Sequence, residues 1–582
     1  MAEQTQLAEH SELWKKRHTA AHVLAQAVLE IFPTAKLAIG PPIDDGFYYD
    51  FELPRTLTPE DLTDIEARML KIKKLNLPLV RTEKSRKDAL RAVESDAQFF
   101  KSELITDLPE GETISFYSQG DFTDLCRGPH VTATGDIGSF KLDRIAGAYW
   151  RGDEKRQQLQ RVYGVLFESQ SDLDDYYVRL EEARKRDHKV LGKQLKLFAN
   201  SSVVGPGLPL WLPKGATVRR ILERYITDFE LASGYQHVYT PQMAKPDLYK
   251  QSGHWDHYRE GMFPVMKIDN EEFVLRPMNC PHHIQIFKND AYSYRDLPIR
   301  LAELGTMYRY EKSGELSGLS RVRAMTLNDA HIFCTEDQVI AEVKACVVMV
   351  EAAYRKLGIT EYRYRLSLHD PANTEKYVDN PKLWERAEGE LRQVFEDLQL
   401  PYYEGFGEAA FYGPKIDIQL KNVLGKEETV STVQVDRHLP SKFELEYTGD
   451  DGLKHQPVMI HRGVISTMER MVSFLIEHYA GNFPAWLAPV QALILPVVDR
   501  HNDYANSVAE SLKSEGLRIE VDGRNEKLGK KIAEGTMQKV PYILVVGDRD
   551  AAAGNVSVRK RGGQDMGPMP TADFATLVKN EL

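Results

Sequence analysis

The chain has 582 residues and a formal net charge of −11, with 42% hydrophobic and 28% charged residues. This length predicts about three or four domains rather than one core, and the composition excludes a disordered or fibrous protein. No apolar run approaches the roughly 20 residues that span a bilayer, and the start, MAEQTQLAEH, is neither a secretory signal nor a transit peptide. We therefore expect a cytoplasmic protein without a membrane segment.

The four cysteines, Cys126, Cys280, Cys334 and Cys346, lie at irregular spacing. They are too few for a disulfide framework in so long a chain, which leaves metal ligation, catalysis or plain burial. The negative net charge opposes nucleic-acid binding, because attraction to phosphate requires cations. Basic stretches such as EEARKRDHKVLGKQLK and VSVRKRGG still allow local contacts, although each also fits an ordinary solvated surface.

The first predicted domain, residues 1–163, mixes helical patterns with short strands rich in Phe, Tyr and Ile. KRHTAAHVLAQAVLEIF places His18 and His22 one helical turn apart on one face, and DFTDLCRGPHV adds Cys126 and His130. These residue types are common metal ligands. A structural His/Cys cluster is the alternative to a metal site, and both stay open.

A strongly charged stretch, SDLDDYYVRLEEARKRDHKVLGKQLKLF, predicts a helical connector over residues 164–204. The glycines and prolines of NSSVVGPGLPLWLPKG mark its end. A long α+β region follows over residues 205–483 and begins with the amphipathic helix ATVRRILERYITDFELASGY.

The α+β region contains Cys280, His331 and His461 at wide separation. Three nitrogen and sulfur ligands with a fourth position open are typical of a catalytic zinc site, whereas a buried thiol with two hydrogen-bonded histidines is the alternative. In the predicted strand AMTLNDAHIF, alternate residues share a face. Asp329 and His331 therefore line one surface together with Met325 and Leu327.

The segment LAELGTMYRYEKSGELSGLSRVR indicates a nucleotide site. It predicts a strand with Arg309 and Glu311 on one face, followed by a loop and Arg321. Arginine pairs bidentately with phosphate, and a glutamate accepts from an adenine amine or orients a cation. Arg470 would add another phosphate contact.

The tail, residues 484–582, alternates strands and helices: VQALILPVV, HNDYANSVAESLKSEG, LRIEVDG, EKLGKKIAEGTMQKV and YILVVGD. This alternation predicts a small α/β domain with a largely parallel sheet.

Taken in order, these segments resemble the class II aminoacyl-tRNA synthetases, and among them the threonyl-tRNA synthetase family. YQHVYTPQMAKPDLYKQSGHWDHY is similar to motif 1, whose proline, here Pro241, lies at the family's dimer interface. MYRYEKSGELSGLSRVR is similar to motif 2 and HRGVISTMERM to motif 3, while PMNCPHH and DAHIFC mark the threonine branch. The resemblance implies an α+β multidomain protein with a class II antiparallel-sheet catalytic core, an N-terminal α+β editing domain and a C-terminal α/β anticodon-binding domain.

The resemblance implies that a cytoplasmic homodimer joins L-threonine to tRNA(Thr) through threonyl-adenylate, using ATP with Mg²⁺. It also implies hydrolysis of mischarged Ser-tRNA(Thr). One Zn²⁺ per subunit would lie on Cys280, His331 and His461. Catalytic roles are implied for Arg309, Arg470 and Lys415. Substrate and ATP contacts are implied for Glu311, Arg321, Asp329, Tyr412, Gln434 and Thr467.

The family's zinc takes the amine and the hydroxyl of threonine, so valine, which lacks the hydroxyl, is rejected by up to roughly 10⁴–10⁵-fold. Serine keeps both groups, and its missing methyl is worth only about 1–3 kcal/mol, or roughly 10–200-fold. A second, hydrolytic site is therefore expected in the N-terminal domain, with or without metal. The resemblance places it at His18, His22, Lys101, Asp124, Cys126 and His130.

The resemblance also places anticodon contacts at Asn525, Asp550 and Arg559, with a helix cap as the alternative or additional role of Asn525. Asp550 is shorter than the glutamate that relatives carry. Other departures lie in the catalytic region: Leu327 and Thr429 stand where relatives carry glutamine, Met325 replaces phenylalanine and Thr467 replaces serine.

Many bacterial relatives carry an extra small N-terminal domain, and we expect the form without it. Two other interpretations are weighed. A prolyl or seryl synthetase of class II is disfavoured by the set Cys280, His331 and His461. A synthetase-like RNA-binding regulator without aminoacylation activity is disfavoured by the presence of Arg309 and Arg470.

Overall fold

The computed structural model describes residues 11–153 and 155–581. These residues form two compact units that divide after residue 181. None of the helices in the described ranges combines the length and apolar character needed to cross a membrane.

The N-terminal unit is built on an antiparallel sheet with the order β1-β3-β8-β7, to which β2 adds at β3, and on a smaller sheet with the order β4-β5-β6. Helix α1 begins at a cap in which the Ser11 side chain accepts from the Trp14 N–H, and it packs against α2 and β3. The helices are α1 (Glu12–Ile31), α2 (Pro59–Leu75), α3 (Arg86–Ser95) and α4 (Phe99–Asp107). The strands are β1 (Lys36–Leu37), β2 (Pro42–Ile43), β3 (Gly46–Glu52), β4 (Leu79–Lys84), β5 (Ile114–Gln119), β6 (Phe122–Leu125), β7 (Ser139–Tyr149) and β8 (Gln158–Phe167).

The connector stretch forms two helices, α5 (Gln170–Arg186) and α6 (His188–Gln194). Asp187 separates them, because its side chain accepts from the backbone N–H of Lys189 and so begins α6. Strand β8 runs to Phe167, four residues past the predicted domain limit at residue 163.

The central region is built on one long sheet with the order β11-β16-β17-β24-β21-β20-β18-β19. Its pairs are antiparallel except β11 with β16 and β18 with β19. The helices are α7 (Pro213–Ala232), α8 (Pro246–Gln251), α9 (His254–Tyr258), α10 (Cys280–Lys288), α11 (Val339–Lys356), α12 (Pro381–Leu398), α13 (His438–Lys442) and α14 (Met468–His478). The strands are β9 (Phe198–Ala199), β10 (Leu210–Trp211), β11 (Gln236–His237), β12 (Met243–Ala244), β13 (Met266–Ile268), β14 (Glu271–Leu275), β15 (Tyr292–Ser293), β16 (Ile299–Tyr308), β17 (Ala324–Cys334), β18 (Tyr362–Leu368), β19 (Tyr402–Phe406), β20 (Lys415–Lys421), β21 (Glu427–Asp436), β22 (Tyr447–Thr448), β23 (Lys454–His455) and β24 (Val458–Gly463).

The predicted strand at AMTLNDAHIF is confirmed as β17. The expectation that Arg309 and Glu311 share a strand face is wrong, because β16 ends at Tyr308. The backbone N–H of Glu311 donates to the carbonyl of Arg309 at 2.9 Å, and this tight turn ends the extended backbone.

The tail sheet has the order β26-β25-β27-β28-β29. Strand β25 pairs in parallel with β26 and β27, but β27–β28 and β28–β29 are antiparallel. The prediction of a largely parallel sheet is therefore wrong for its last two strands, because they form a hairpin without a crossover helix. The strands are β25 (Ala492–Pro496), β26 (Ile519–Val521), β27 (Tyr542–Val546), β28 (Asn555–Lys560) and β29 (Gln564–Pro570). The helices are α15 (Asn502–Ser514), α16 (Leu528–Met537), α17 (Asp548–Ala553) and α18 (Thr571–Lys579).

A buried ion pair joins α7 to β24 behind the central sheet. The Arg462 guanidinium donates to the Glu230 carboxylate at 2.6 Å, and both side chains are fully buried. Asn328 of β17 donates to the same carboxylate at 2.8 Å. Since Arg462 directly follows His461, this pair fixes the strand on which a candidate ligand lies.

We expect Glu230→Ala to loosen β24, because it leaves the Arg462 guanidinium buried without its carboxylate, which costs about 3–5 kcal/mol. Hydrogen exchange of the β24 amides measures this local free energy. The control is Asp228→Ala on the same helix, whose exposed pair with Arg224 spans 3.8 Å and is worth less than about 1 kcal/mol. Equal protection in both variants would contradict the role of the buried pair.

Candidate active site and metal centre

One cavity of about 650 Å³ opens over the central sheet. It brings together every residue for which a catalytic, substrate-binding or zinc role is predicted. These lining residues are Cys280, Arg309, Glu311, Arg321, Asp329, His331, Tyr412, Lys415, Gln434, His461, Thr467 and Arg470.

The antiparallel registers align four of these side chains in a row across the sheet. His331 of β17 lies opposite His461 of β24, His461 lies opposite Gln434 of β21, and Gln434 lies opposite Lys415 of β20. Directly opposed residues point to the same face of a sheet. A row that is scattered over 130 residues of sequence therefore becomes one continuous wall.

The ligand atoms of Cys280, His331 and His461 all lie within 4.8 Å of one another, and the three residues are buried. His331 places its Nδ1 2.8 Å from Nδ1 of His283, and His283 places Nε2 3.2 Å from a Glu303 carboxylate oxygen. If Nε2 of His283 donates to the Glu303 carboxylate, then Nδ1 of His283 accepts a hydrogen bond from Nδ1 of His331. This leaves the Nε2 lone pair of His331 free for a metal ion.

His461 is oriented directly by a carboxylate, without an intervening histidine. Its Nε2 lies 2.8 Å from Oδ2 of Asp436, so its Nδ1 lone pair remains. Its ring also stacks on Tyr412, with the ring centroids 4.8 Å apart. The Tyr412 hydroxyl in turn donates to Gln434 at 2.7 Å.

Burial sets the protonation states of two of these ligands. It raises the pKa of the Cys280 thiol well above its ordinary value and lowers that of His331 well below it. His331 is therefore neutral and able to ligate, while a metal ion would have to displace the proton of the Cys280 thiol. Burial also raises the pKa of Asp329, which accepts from the Asn279 amide at 3.1 Å.

Three arginines, Arg309, Arg321 and Arg470, also line the cavity. Desolvation lowers the pKa of Arg309, and its buried Nε has no hydrogen-bond partner within residues 11–153 and 155–581. Arg321 pairs with Glu311 at 2.8 Å and with Glu315 at 2.9 Å. Arg470 lies near the Ser320 carbonyl, at 3.5 Å from Nε.

Two predicted contact residues have structural partners. The Thr467 hydroxyl caps α14, because it accepts from the backbone N–H of Arg470 at 3.1 Å. The Lys415 ammonium pairs with Asp417, whose carboxylate also accepts from Arg365.

The departures from the family pattern make part of the wall apolar. Met325 and Leu327 pack with Met307 and Val322 in one small hydrophobic cluster. Thr429 accepts from Gln419 at 2.7 Å.

The sequence reasoning missed three residues around the ligands: His254, His283 and Asp436. His254 Nε2 lies 3.7 Å from the Cys280 sulfur. Two signals were available: His283 is one helical turn after Cys280 on α10, and Asp436 is two residues after Gln434 on β21, and so on the same face. His254 carries no such signal, because α9 is far from the ligands in sequence.

The N-terminal unit contains the second predicted cluster. The ligand atoms of His18, His22, Cys126 and His130 lie within 4.8 Å of one another. The Cys126 sulfur is 3.3 Å from Nε2 of both His18 and His130. The rings of His18 and His130 stack with centroids 4.2 Å apart.

The predicted residues Lys101 and Asp124 adjoin this cluster. Lys101 Nζ lies 2.7 Å from Asp124 Oδ1, and Asp124 Oδ2 lies 4.0 Å from His22 Nε2. Tyr49, which the sequence did not reveal, donates to Asp124 and accepts from Lys101 at 3.0 Å. Residues from α1, β3, α4 and β6 thus form one polar network.

Burial keeps three members of this cluster uncharged near pH 7. It raises the pKa of the Cys126 thiol to about 12, and it lowers the pKa values of His22 and His130 well below the ordinary value. A thiol beside neutral imidazoles has the donors and acceptors to orient a water molecule, and a metal ion would need to displace the thiol proton.

The three predicted anticodon residues lie in the tail. Arg559 is exposed on β28. Asp550 accepts from the Gly547 N–H at 3.0 Å and from the Ser557 hydroxyl at 2.8 Å. Asn525 is exposed, and the idea that it caps a helix is wrong, because α16 starts at Leu528 with Lys527 in the cap position.

Three family profiles match the chain. They are the "tRNA synthetase class II core domain (G, H, P, S and T)" over residues 263–479, the "Anticodon binding domain" over residues 491–581, and the "Threonyl and Alanyl tRNA synthetase second additional domain" over residues 114–163.

Curated relatives match nearly the whole chain. A threonine–tRNA ligase of Geobacillus sp. is 56% identical over 567 residues, which are 97% of this chain and 88% of the relative. Threonine–tRNA ligase 1 of Bacillus subtilis is 56% identical over 559 residues, 96% of this chain and 87% of the relative. The chain belongs to the threonine–tRNA ligase family. Enzymes of this class II family join threonine to tRNA at the expense of ATP, so both alternative interpretations are set aside.

Solved structures agree with this membership. The RNA-binding domain of threonyl-tRNA synthetase from Cryptosporidium parvum is 35% identical with a TM-score of 0.64, and the match covers 68% of this chain and 98% of that one. A prolyl-tRNA synthetase from Giardia lamblia shares the fold at 18% identity, with a TM-score of 0.56 over 69% of this chain and 79% of that one.

We expect the metal-stripped protein to take up about one cobalt(II) ion per chain with thiolate-to-metal absorption. Cys280→Ser should abolish that absorption, and Asp436→Asn should weaken the affinity by roughly 10–100-fold, because it removes the carboxylate that orients His461. Cys334→Ser, on the opposite face of β17, is the matched control. Unchanged absorption in Cys280→Ser would disprove this ligand set.

Proposed function

We propose that the cavity performs both steps of threonine–tRNA ligation, with a zinc ion at Cys280, His331 and His461 and the nucleotide at the arginine end. The observation that carries this proposal is that one continuous cavity is lined both by three clustered soft and borderline ligands and by three arginines. Such a cavity suits an amino acid and a nucleoside triphosphate placed end to end.

The zinc end is proposed to select the amino acid. The ligand set fits zinc, because a buried thiol and two imidazoles with oriented second nitrogens form the donor set of a catalytic site with an open position. When bound there, zinc supplies a Lewis acid that accepts an amine and a hydroxyl. Asp329 lies in the same wall and is proposed to receive the ammonium group of threonine.

The cationic end is proposed to hold ATP with its Mg²⁺. Arg309, Arg321 and Arg470 would neutralise the phosphates, and Glu311 would accept from the adenine amine once Arg321 turns to phosphate. The threonine carboxylate then attacks the α-phosphorus, and pyrophosphate leaves. Lys415, in line with Gln434 across the sheet, is proposed to stabilise the charge that develops on the phosphoryl oxygens.

The second step transfers the activated threonine to tRNA. A ribose hydroxyl of the terminal adenosine attacks the acyl carbon of threonyl-adenylate, an ester forms and AMP leaves. The apolar wall of Met325 and Leu327 is proposed to contact the adenine base.

The N-terminal cluster is proposed to hydrolyse Ser-tRNA(Thr). Lys101 and Asp124 form a buried ion pair next to uncharged His22 and Cys126, an arrangement suited to holding a water molecule and the polar end of an ester. We propose that the site works with a positioned water molecule, because Nε2 of both His18 and His130 already contacts the Cys126 sulfur. The family profile over residues 114–163 supports an editing role for this unit.

A homodimer is proposed as the functional form. Its support is an exposed apolar surface around motif 1: Tyr239 is 93% exposed, and Leu231 and Met243 are also exposed. Pro241 lies within this segment. Sedimentation analysis of wild type and Tyr239→Asp tests the dimer.

We further propose a cytoplasmic location, as expected for an enzyme of translation.

Threonine-dependent exchange of pyrophosphate into ATP tests the proposed activation. Threonine should support exchange, and serine should do so less efficiently, by roughly 10–200-fold, because it lacks one methyl. Proline should not support it. Exchange with proline or without an amino acid would contradict the proposal.

We expect the two active sites to be separable. His22→Ala combined with Cys126→Ala should preserve threonine charging and exchange, but should slow deacylation of preformed Ser-tRNA(Thr) by roughly 10²-fold or more, as loss of positioned polar groups does. Thr-tRNA(Thr) is the substrate control, and His455→Ala, an exposed histidine, is the variant control. Equal clearance of Ser-tRNA(Thr) by wild type and the double variant would show that the cluster is structural.

The tail is expected to act on tRNA alone. Arg559→Ala should weaken charging through a higher KM for tRNA, by about 1–3 kcal/mol for one base contact, and leave pyrophosphate exchange unchanged, because adenylate formation needs no anticodon. Lys560→Ala, one position along β28, is the matched control. Parallel losses in charging and exchange would contradict an anticodon role.

A further inference from the structure

His188 is buried at the first position of α6 and contacts two elements of the cavity that are distant in sequence. Its Nδ1 lies 2.6 Å from Oε1 of Glu477, in the last turn of α14. Its Nε2 accepts from the backbone N–H of Leu319 at 3.2 Å. Since Nε2 accepts, the ring proton lies on Nδ1 and is donated to Glu477. Asp187, His188 and Glu477 have the composition of a metal cluster, but both ring nitrogens of His188 are already engaged.

Leu319 belongs to the segment of residues 311–321, named here the motif 2 loop. The loop folds back on itself, because Ser320 N–H donates to the Ser317 carbonyl at 2.9 Å and Ser317 N–H donates to the Arg321 carbonyl at 3.1 Å. The Leu319 side chain is fully buried in the main core. The Leu319 N–H leaves this turn and donates to His188, so the imidazole is a direct side-chain anchor of the backbone at the loop tip, in addition to the buried Leu319 side chain.

Gly318 permits this approach. Its φ is +49°, and a Cβ there would lie 2.2 Å from Nε2 of His188. Any side chain at this position would therefore push the loop tip away from the imidazole. Glycine is required here both for the left-handed backbone and for the contact.

The motif 2 loop carries groups that are proposed to bind the nucleotide. Arg321 follows the tip and lines the cavity. The Ser320 carbonyl accepts from Arg470 Nε at 3.5 Å, and Arg470 belongs to α14, the helix that also carries Glu477. His188 thus joins the backbone beside one phosphate-binding arginine to the helix that holds the other.

We propose that His188 is a positioning residue for ATP, acting through the Leu319 backbone to hold the motif 2 loop against α14. This inference rests on the proposed nucleotide site. It assigns a role in nucleotide binding to the connector, although His188 is outside the cavity wall.

Two near-isosteric variants separate the hydrogen bonds of His188. In His188→Gln the amide oxygen replaces Nε2 and still accepts from Leu319, whereas in His188→Asn the amide nitrogen replaces Nδ1 and still donates to Glu477. We expect His188→Asn to raise the KM for ATP in threonine-dependent pyrophosphate exchange by roughly tenfold, because a buried N–H loses its acceptor. His188→Gln should stay within about threefold of wild type. The KM for threonine should change by less than about twofold in both.

A purely structural role for His188, in which its contact with Glu477 joins α6 to α14, predicts the opposite order, since Asn preserves that contact and Gln does not. Equal KM values for ATP in both variants, or a parallel rise in the KM for threonine, would overturn the inference. Gly318→Ala keeps His188 intact and displaces the loop tip, so it should reproduce the rise in the KM for ATP even if His188→Asn does not fold. An unchanged KM in Gly318→Ala would also overturn it.

The proposed function and this inference fail differently. Wild-type protein without threonine-dependent exchange would overturn the proposed function and this inference with it. Normal exchange by wild type, with no difference between the Asn and Gln variants, would overturn the inference alone.

Discussion

The antiparallel register between β17 and β24 is the constraint on which the catalytic region depends. It places His331 directly across from His461, and the pairing of β24 with β21 and of β21 with β20 extends this row to Gln434 and Lys415. A slip of one residue in any of these pairs would turn a whole strand's set of side chains to the other face of the sheet. The Glu230–Arg462 pair behind the sheet and the hydrogen bonds of His283 and Asp436 in front of it secure the same strands, so backbone geometry and side-chain orientation support each other.

The polar clusters at Cys126 and at Cys280 both contain a buried thiol and buried histidines that desolvation keeps uncharged. In each, desolvation raises the pKa of a thiol and lowers the pKa values of nearby histidines. The outcomes differ because the surroundings differ. At Cys280 the two histidines have their second nitrogens oriented by partners and their lone pairs converging on one point. At Cys126 the histidine nitrogens already contact the sulfur itself, and a lysine–aspartate pair supplies the fixed charge.

The sequence predicted the fold class and twelve residues of the cavity, some from local pattern and several only through the family resemblance. Period-two alternation predicted the cavity face of β17. The order of the motifs predicted the order of the domains along the chain. What it missed depends on long-range contacts. Tyr49 meets Asp124 across 75 residues, and no periodicity reports such a pair. The end of β16 at Tyr308 is set by a turn at Arg309, and the antiparallel hairpin at β28 and β29 by the lack of a crossover helix.

The pairing of Arg321 with Glu311 and Glu315 has a consequence for how the cavity releases its contents. An arginine that already holds two carboxylates gains less from an incoming phosphate than a free one would, because one ion pair is exchanged for another. The same exchange would occur in reverse when the phosphates dissociate, since the Arg321 guanidinium would again pair with Glu311 and Glu315. In the proposed nucleotide site, the loop would thus supply its own counter-ions, which would limit the affinity for a phosphate-containing product.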